Sequence, residues 1–172
     1  RPKGKEAPQR LARTVSAAEH TVGSESDDWW IVYPDQHPEA GSEVDHPEWL
    51  LNELEETPVL ILDHSDETCQ DCIDQEGYIN AVLEEYRDNV AYENLIGGIG
   101  DDRADELFNV YDPNGGINYV PLTIILTLVR DSDENVVVGW HSVEGADGGE
   151  ELVRSYVEDA IDYHEENVGD WA

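Results

Sequence analysis

Thr68-Cys69-Gln70-Asp71-Cys72 contains the only two cysteines of the 172-residue chain. The apolar run Val59-Leu60-Ile61-Leu62 precedes this stretch, and apolar residues at helical spacing follow it up to about Asn89. Cysteines three positions apart at the start of a helix allow one sulfur to attack a partner while the other lies one turn away. A C-x-x-C pair that follows a strand is therefore typical of a dithiol redox site.

The composition is dominated by negative charge, because 41 acidic residues oppose nine basic ones and the net charge is −32. Disordered chains also carry such charge, but the apolar residues here keep strand and helix periods, which indicates a folded protein. The composition resembles that of extreme halophiles, in which surface carboxylates maintain solubility and salt screens their repulsion. Nucleic acid is not an expected partner, because only four basic residues lie beyond residue 13.

Residues 1–28 are predicted to form a flexible N-terminal tail, and residues 29–172 a single domain. The tail carries five of the nine basic residues. Basic residues also lie beside membrane-spanning segments on the cytoplasmic side, so a membrane tether upstream of Arg1 is an alternative. The predicted compartment is the cytoplasm, where a reducing dithiol has its usual use, and a surface-exposed domain is the alternative.

The pattern of apolar residues and turn signals predicts an α/β fold with the order β-α-β-α-β-α-β-β-α. Asp45 is the predicted N-cap of the first helix, and Thr68 that of the second, with Asp71 completing a capping box. Alternating strands and helices followed by a hairpin predict a mixed sheet with helices on both faces. The predicted strands are 29–33, 58–63, 90–96, 122–129 and 136–140.

In this order the chain resembles the thioredoxin superfamily over about residues 46–166. The C-x-x-C pair opens a helix directly after a buried strand. Asp63 lies six residues before Cys69, where thioredoxins keep a buried acid, and Val120-Pro121 opens the strand at which the family has its cis-proline. A hairpin and a C-terminal helix close the fold. The resemblance implies a thioredoxin-like mixed sheet flanked by helices.

The resemblance also implies a thiol–disulfide oxidoreductase that needs no bound cofactor. Cys69, expected at the first helical position, would be the nucleophile, because a helix N-terminus stabilises a thiolate. Cys72 would be the resolving thiol. Asp63 would lie near Cys72, where burial raises the pKa of its carboxyl and allows it to exchange a proton with that thiol. The alternatives are a structural disulfide for the cysteines and an ordinary strand-end acid for Asp63.

The inter-cysteine residues depart from the family, which has Trp where Thr68 stands and Gly-Pro where Gln70-Asp71 stands. These residues, with Val120 and Pro121, are the predicted substrate-binding residues. A cis-proline loop would face the dithiol and pair its backbone with a bound strand, as the resemblance implies. The charge of Asp71 would oppose thiolate formation at Cys69 and favour a reducing couple.

The expected partners are disulfide-containing protein substrates, with a thioredoxin-reductase-type protein as the candidate electron donor. A thioredoxin-fold module that binds or scaffolds other proteins, with an idle or regulatory dithiol, is the alternative. A metal or copper chaperone is a third hypothesis. No metal site is predicted, because two thiols with His64 and His141 do not have the spacing of a zinc site.

Overall fold

The structure is a computed structural model that describes residues 18–65, 69–97, 102–116 and 119–172. Two short 3-10 turns, Arg87–Asn89 and Val168–Asp170, follow the second and fourth helices. The regular elements, in chain order, are helix α1 (Glu48–Leu54), strand β1 (Val59–Ser65), helix α2 (Gln70–Tyr86), strand β2 (Ala91–Gly97), helix α3 (Asp102–Tyr111), strands β3 (Leu122–Arg130) and β4 (Val136–Glu144), and helix α4 (Gly149–Asn167).

The four strands form one mixed sheet in the order β2-β1-β3-β4. Strands β1 and β2 are parallel, whereas β3 is antiparallel to both of its neighbours. Asp63 of β1 pairs with Leu122 at the start of β3, so the carboxyl end of β1 and the beginning of β3 lie at the same end of the sheet. The prediction of an α/β fold with a mixed sheet flanked by helices is confirmed.

The prediction of a fifth strand at 29–33 is wrong. Trp29 and Trp30 form only isolated bridges, to Val22 and Trp140 respectively. The chain then turns back, because the Tyr33 N–H donates to the Ser42 carbonyl. The apolar run has another cause: successive extended residues point to opposite sides, and the two indole rings fill the hydrophobic clusters on the two faces of the sheet.

The two faces of the sheet are covered by different helices. Val59 and Ile61 point into a hydrophobic cluster shared with α1 and α3, whereas Leu60 and Leu62 point into one shared with α2 and α4. Side chains alternate along a strand. Asp63 therefore lies on the α1/α3 face.

A group of stacked aromatic rings wraps around β4 and is called here the β4 aromatic cluster: Trp30, Tyr111, Trp140, His141 and Tyr156. The Trp30 ring centroid lies 5.0 Å from that of Trp140 and 4.3 Å from that of His141. His141 in turn stacks on Tyr156 at 4.1 Å, and Trp140 meets Tyr111 at 5.2 Å. The backbones of Trp30 and Trp140 also exchange two hydrogen bonds. The cluster thus closes the outer edge of β4 at this point.

The described end of the predicted tail contacts the last helix. The Glu19 and His20 backbone N–H groups each donate to the Asp159 carboxylate at 2.8 Å. The His20 ring stacks on Tyr156 with 3.7 Å between centroids. Burial raises the pKa of Asp159, although these hydrogen bonds act in the opposite direction. The flexible tail stays a prediction for residues 1–17, which lie outside the described residues.

The cap predicted for the first helix is also wrong. Helix α1 begins after Pro47, which has no side-chain cap, rather than after Asp45. Proline fits this position, because it supplies no backbone N–H at a helix end where such groups have no partner. Among the helices of the described residues, none is long and apolar enough to cross a membrane.

Candidate functional site

Cys69 and Cys72 form a disulfide at the start of α2, with 5.2 Å between their Cα atoms. Cys69 is the N-cap of the helix rather than its first residue, and its sulfur accepts a hydrogen bond from the Cys72 N–H at 3.2 Å. The sulfur thereby satisfies one of the N–H groups that a helix start leaves without a partner. Thr68, the predicted cap, lies outside the described residues.

The two cysteines differ in exposure. Cys72 is 2% exposed, whereas Cys69 is partly exposed. Gln70 and Asp71, between them, are exposed, and the Gln70 side-chain amide donates to Asp74 at 2.8 Å. A substrate disulfide can therefore reach the sulfur of Cys69 more easily than that of Cys72.

The start of β3 lies at the same end of the sheet as the carboxyl end of β1, the strand that precedes the dithiol. The Val120–Pro121 peptide bond is cis, and the Pro121 carbonyl accepts a hydrogen bond from the Gly145 N–H at 2.9 Å. Two residues further on, the Thr123 hydroxyl accepts a hydrogen bond from the buried Gln75 side chain at 2.8 Å. Gln75 lies three residues after Cys72, hence on the same side of α2. This bond holds the first turns of α2 against the strand that Pro121 precedes.

Acidic side chains order the loop that leads to this proline. The Asp112 carboxylate accepts hydrogen bonds from the Asn114 and Gly116 N–H groups at 2.9 and 3.0 Å. The Asn114 side chain in turn donates to Glu144 at 2.7 Å. Burial and the nearby charge of Asp112 raise the pKa of Glu144. The hairpin strand β4 is thereby tied to the segment that approaches the cis-proline.

Asp63 is fully buried between Leu95 of β2 and Leu122 of β3. It lies at the same end of the sheet as the dithiol but on the α1/α3 face, whereas α2 covers the other face. Proton exchange between the Asp63 carboxyl and the Cys72 sulfur would therefore take place around the end of β1 rather than across one face of the sheet.

Two exposed apolar side chains are neighbours in sequence of Cys72 and Val120 and were not predicted from the sequence. Ile73 follows Cys72 and is 59% exposed, and Tyr119 precedes Val120 and is 54% exposed. Among the described residues only one other large apolar side chain is exposed, Val22, at 37%. The available signal for Ile73 was its position outside the apolar stripe of α2.

The histidines considered as metal ligands have other contacts. His141 donates from Nδ1 to the Asp28 carbonyl at 2.8 Å, and burial lowers its pKa to about 3. His64 contacts Asn94 and Ser65. Within the part of the chain that the structure describes, no group of three or more His, Cys, Asp or Glu side chains is arranged to hold a metal ion.

Comparisons with known proteins give no family for this chain. A scan against protein-family models finds no match, and searches of curated proteins and of solved structures find none either. What the chain does must therefore be argued from the geometry of the dithiol and its surroundings.

Proposed function

We propose that the protein is a thiol–disulfide oxidoreductase of thioredoxin type, whose Cys69–Cys72 dithiol reduces or exchanges disulfides in other proteins. The observation that carries this proposal is the pairing of a partly exposed sulfur at the N-terminus of a 17-residue helix with a buried one three residues later. A disulfide that closes so short a loop constrains the unfolded chain little. A catalytic use therefore explains the pair better than a structural one.

Four features at one end of the sheet support the thioredoxin-like fold. The dithiol opens α2 directly after the buried strand β1, and Asp63 lies in that strand. Val120 and the cis-linked Pro121 precede β3 at the same end of the sheet. The hairpin of β3 and β4 and then α4 close the chain. Each feature alone is common, but their order along one chain favours this fold over other mixed sheets.

The reaction would proceed in two exchange steps. The Cys69 thiolate attacks one sulfur of the substrate disulfide, forms a mixed disulfide with it and releases the other sulfur as a thiolate. Cys72 then loses its proton and attacks the Cys69 sulfur, which forms the disulfide within the protein and releases the second substrate thiol. Asp63 is the proposed acceptor of the Cys72 proton. A separate reductase would return two electrons to restore the dithiol.

The proposed substrate-binding residues surround the exposed sulfur. Val120 and Pro121 would present their backbone to an extended substrate segment, while Gln70 and Asp71 would border it on the helix side. Thr68 would border it too, although it lies outside the described residues. The exposed carboxylate of Asp71 favours a reducing couple, which agrees with a cytoplasmic protein. A membrane tether or a surface location would be recognised by fractionating cells that produce the full-length gene product.

The test uses the variants Cys69→Ser and Cys72→Ser, incubated with a disulfide-bonded peptide in molar KCl and analysed by mass spectrometry. Cys72→Ser should accumulate a mixed disulfide, because no second thiol resolves it. Cys69→Ser should capture far less peptide, because its remaining thiol is buried. The double variant gives the background. Equal capture by both single variants, or capture by neither, would contradict the ordered mechanism and favour a binding module with an idle dithiol.

Molar salt is part of the assay because the net charge of −32 implies strong self-repulsion at low ionic strength. The halophilic character is itself a proposal. It predicts a melting temperature that rises between low salt and molar KCl, and a melting temperature that is flat or falls would contradict it.

A further inference from the structure

A hydrogen-bonded tyrosine–histidine pair lies beside the β4 aromatic cluster, and the proposed reaction does not use it. The hydroxyl of Tyr111, the last residue of α3, lies 2.6 Å from Nδ1 of His46, which precedes α1. The two rings also stack, with 5.7 Å between their centroids. Tyr111 is fully buried, whereas His46 is half-buried.

The hydrogen of this contact belongs to the tyrosine. Burial lowers the pKa of His46 to about 4, although the nearby charge of Asp45 acts in the opposite direction. The ring is therefore neutral at pH 7 and carries a hydrogen on only one nitrogen. Among the described residues the buried Tyr111 hydroxyl has no other hydrogen-bond partner, and a buried donor without an acceptor is unfavourable. Tyr111 therefore donates to His46 Nδ1, and the ring hydrogen is on Nε2.

A row of aromatic rings connects this pair to a less buried part of the molecule. The Trp140 ring centroid lies 5.2 Å from that of Tyr111 and 5.8 Å from that of Tyr33. Both separations are those of aromatic rings in direct contact. Tyr33 is half-buried. Because an electron passes readily between aromatic rings in contact, an oxidant that reaches Tyr33 can withdraw an electron from the buried pair through Trp140.

The middle ring of this row has an unusual feature. The Trp140 indole N–H is buried and has no hydrogen-bond partner among the described residues. Buried polar groups without a partner are uncommon in native structures. An oxidised indole normally loses this proton to a neighbouring acceptor, and here no described residue accepts it. An oxidised Trp140 therefore stays a cation of high energy, and it takes an electron from any neighbouring ring that can release a proton.

Tyr111 differs from the other tyrosines of this region in the group that accepts its hydrogen bond. The hydroxyls of Tyr33 and Tyr156 donate to the backbone carbonyls of Val110 and Asp27, both at 2.8 Å. A backbone carbonyl does not take up a proton, whereas a neutral imidazole does. Burial also raises the pKa of Tyr111, so this hydroxyl is not ionised beforehand. Oxidation of Tyr111 must therefore transfer its proton and its electron together.

We propose that Tyr111 and His46 form a site of reversible one-electron oxidation, which Trp140 connects to Tyr33. A one-electron oxidant accepts an electron from the row, the Tyr111 O–H bond breaks, and its proton moves to His46 Nδ1. The products are a neutral tyrosyl radical, an imidazolium and the reduced oxidant. The charge of Asp45 stabilises this imidazolium. An electron from a small reductant such as ascorbate reverses both transfers. The site is independent of the dithiol and of its proposed function.

The test oxidant is tris(bipyridine)ruthenium(III), generated by a laser flash in molar KCl at pH 7 with a cobalt(III) ammine as electron acceptor. Transient absorption and electron paramagnetic resonance of the unaltered protein should show a tryptophan radical that converts into a long-lived tyrosyl radical. The conversion should be slower in D₂O, because a proton moves with the electron. Ascorbate should then restore the protein without a change in mass. Absence of the tyrosyl radical, or equal rates in the two solvents, would overturn the proposal.

Three variants locate the radical, and their unfolding curves in molar KCl show whether each is folded. Tyr111→Phe should lose most of the long-lived tyrosyl signal. His46→Gln should lose it too, because glutamine accepts a hydrogen bond but not a proton, and the radical should then remain on tryptophan. Tyr119→Phe, at an exposed tyrosine, is the matched control and should keep the signal. A long-lived tyrosyl signal that is unchanged in Tyr111→Phe or in His46→Gln would overturn the proposal.

Discussion

The dithiol end of the sheet and the β4 aromatic cluster bury their side chains for different purposes. At the dithiol end, Asp63 and Gln75 are buried polar groups beside an accessible sulfur. Burial of such groups costs free energy unless each is well paired. In the β4 aromatic cluster, Trp30 and Trp140 are both buried and pack edge to face, which stabilises the fold. If the dithiol has the proposed function, disulfide exchange and stability are located in separate parts of this molecule, and mutations should affect one without the other.

The largest expected effect is the loss of Trp140 from the aromatic cluster. Trp140→Ala should lower the free energy of unfolding by about 3–5 kcal/mol, because it removes a fully buried ring that Trp30 and Tyr111 contact. The measurement is denaturant unfolding in molar KCl, with Trp171→Ala, a partly buried position, as the control. The folded fraction should still exchange disulfides at the normal rate. A loss of exchange in the folded variant would contradict the separation.

A smaller loss is expected from the anchor of the N-terminal segment. Asp159→Asn replaces one of two accepting oxygens by an NH₂ group that would face the Glu19 or His20 N–H. We expect a loss of about 1–3 kcal/mol, the cost of leaving a partly buried donor without a partner. Asp162→Asn, on the same helix, is the control. Equal unfolding curves for the two variants would mean that the anchor contributes nothing to stability.

The opposite behaviour is expected at the dithiol end. Ile73→Ser and Tyr119→Ser should leave unfolding nearly unchanged but slow the reaction with protein disulfides by up to about tenfold, since contact with a substrate would bury each side chain. Oxidised glutathione, which is too small to cover both, should react normally. Val22→Ser is the matched control, because Val22 is also exposed but contacts Trp29 rather than the dithiol. Equal rates for all three variants would exclude this surface from substrate binding.

The smallest expected effect concerns Glu53, in α1, which belongs neither to the dithiol end nor to the β4 aromatic cluster. It tests whether burying a polar group lowers stability there too. Burial, followed by a hydrogen bond and repulsion from Glu93, raises the pKa of Glu53 to about 7. Its protonated form is therefore favoured in the folded state, and this contribution to stability is lost as the pH rises from about 4.5 to 7. Glu53→Gln, which stays neutral, should melt above the unaltered protein at pH 8 and together with it at pH 4. A gain of the same size at both pH values would contradict this assignment.

The secondary structure on either side of the dithiol could be predicted from the sequence. The apolar run before Cys69 and the helical spacing after Cys72 indicated β1 and α2, and both elements are present. Pro121 was correctly expected at the start of a strand. These predictions succeeded because each depends on neighbouring residues. Even there, the cap was misassigned, since a capping box was expected where the sulfur of Cys69 itself accepts the hydrogen bond.

The remaining features depend on residues far apart in the chain. Trp29-Trp30 has the composition of a strand, but its pairing with Trp140 across 110 positions involves a single bridge. The contact between His20 and Asp159 spans 139 positions and follows no motif. The contact between His64 and Asn94 likewise requires the parallel pairing of β1 with β2. Such contacts are fixed by how whole elements pack, which periodicity does not reveal.

The sulfur of Cys69 caps the start of α2 and, in the proposed reaction, also exchanges bonds with other molecules, so the two roles would be coupled. A thiolate accepts the Cys72 N–H more strongly than a disulfide sulfur does, because a hydrogen bond to an ionised acceptor is roughly twice as strong. Each turnover of the proposed reaction would therefore weaken and strengthen the hydrogen bond that caps the first turn of α2. The strength of the hydrogen bond from the Cys72 backbone amide would then report the redox state of the dithiol. A protein that binds this turn could distinguish the reduced form from the oxidised form without contacting either sulfur.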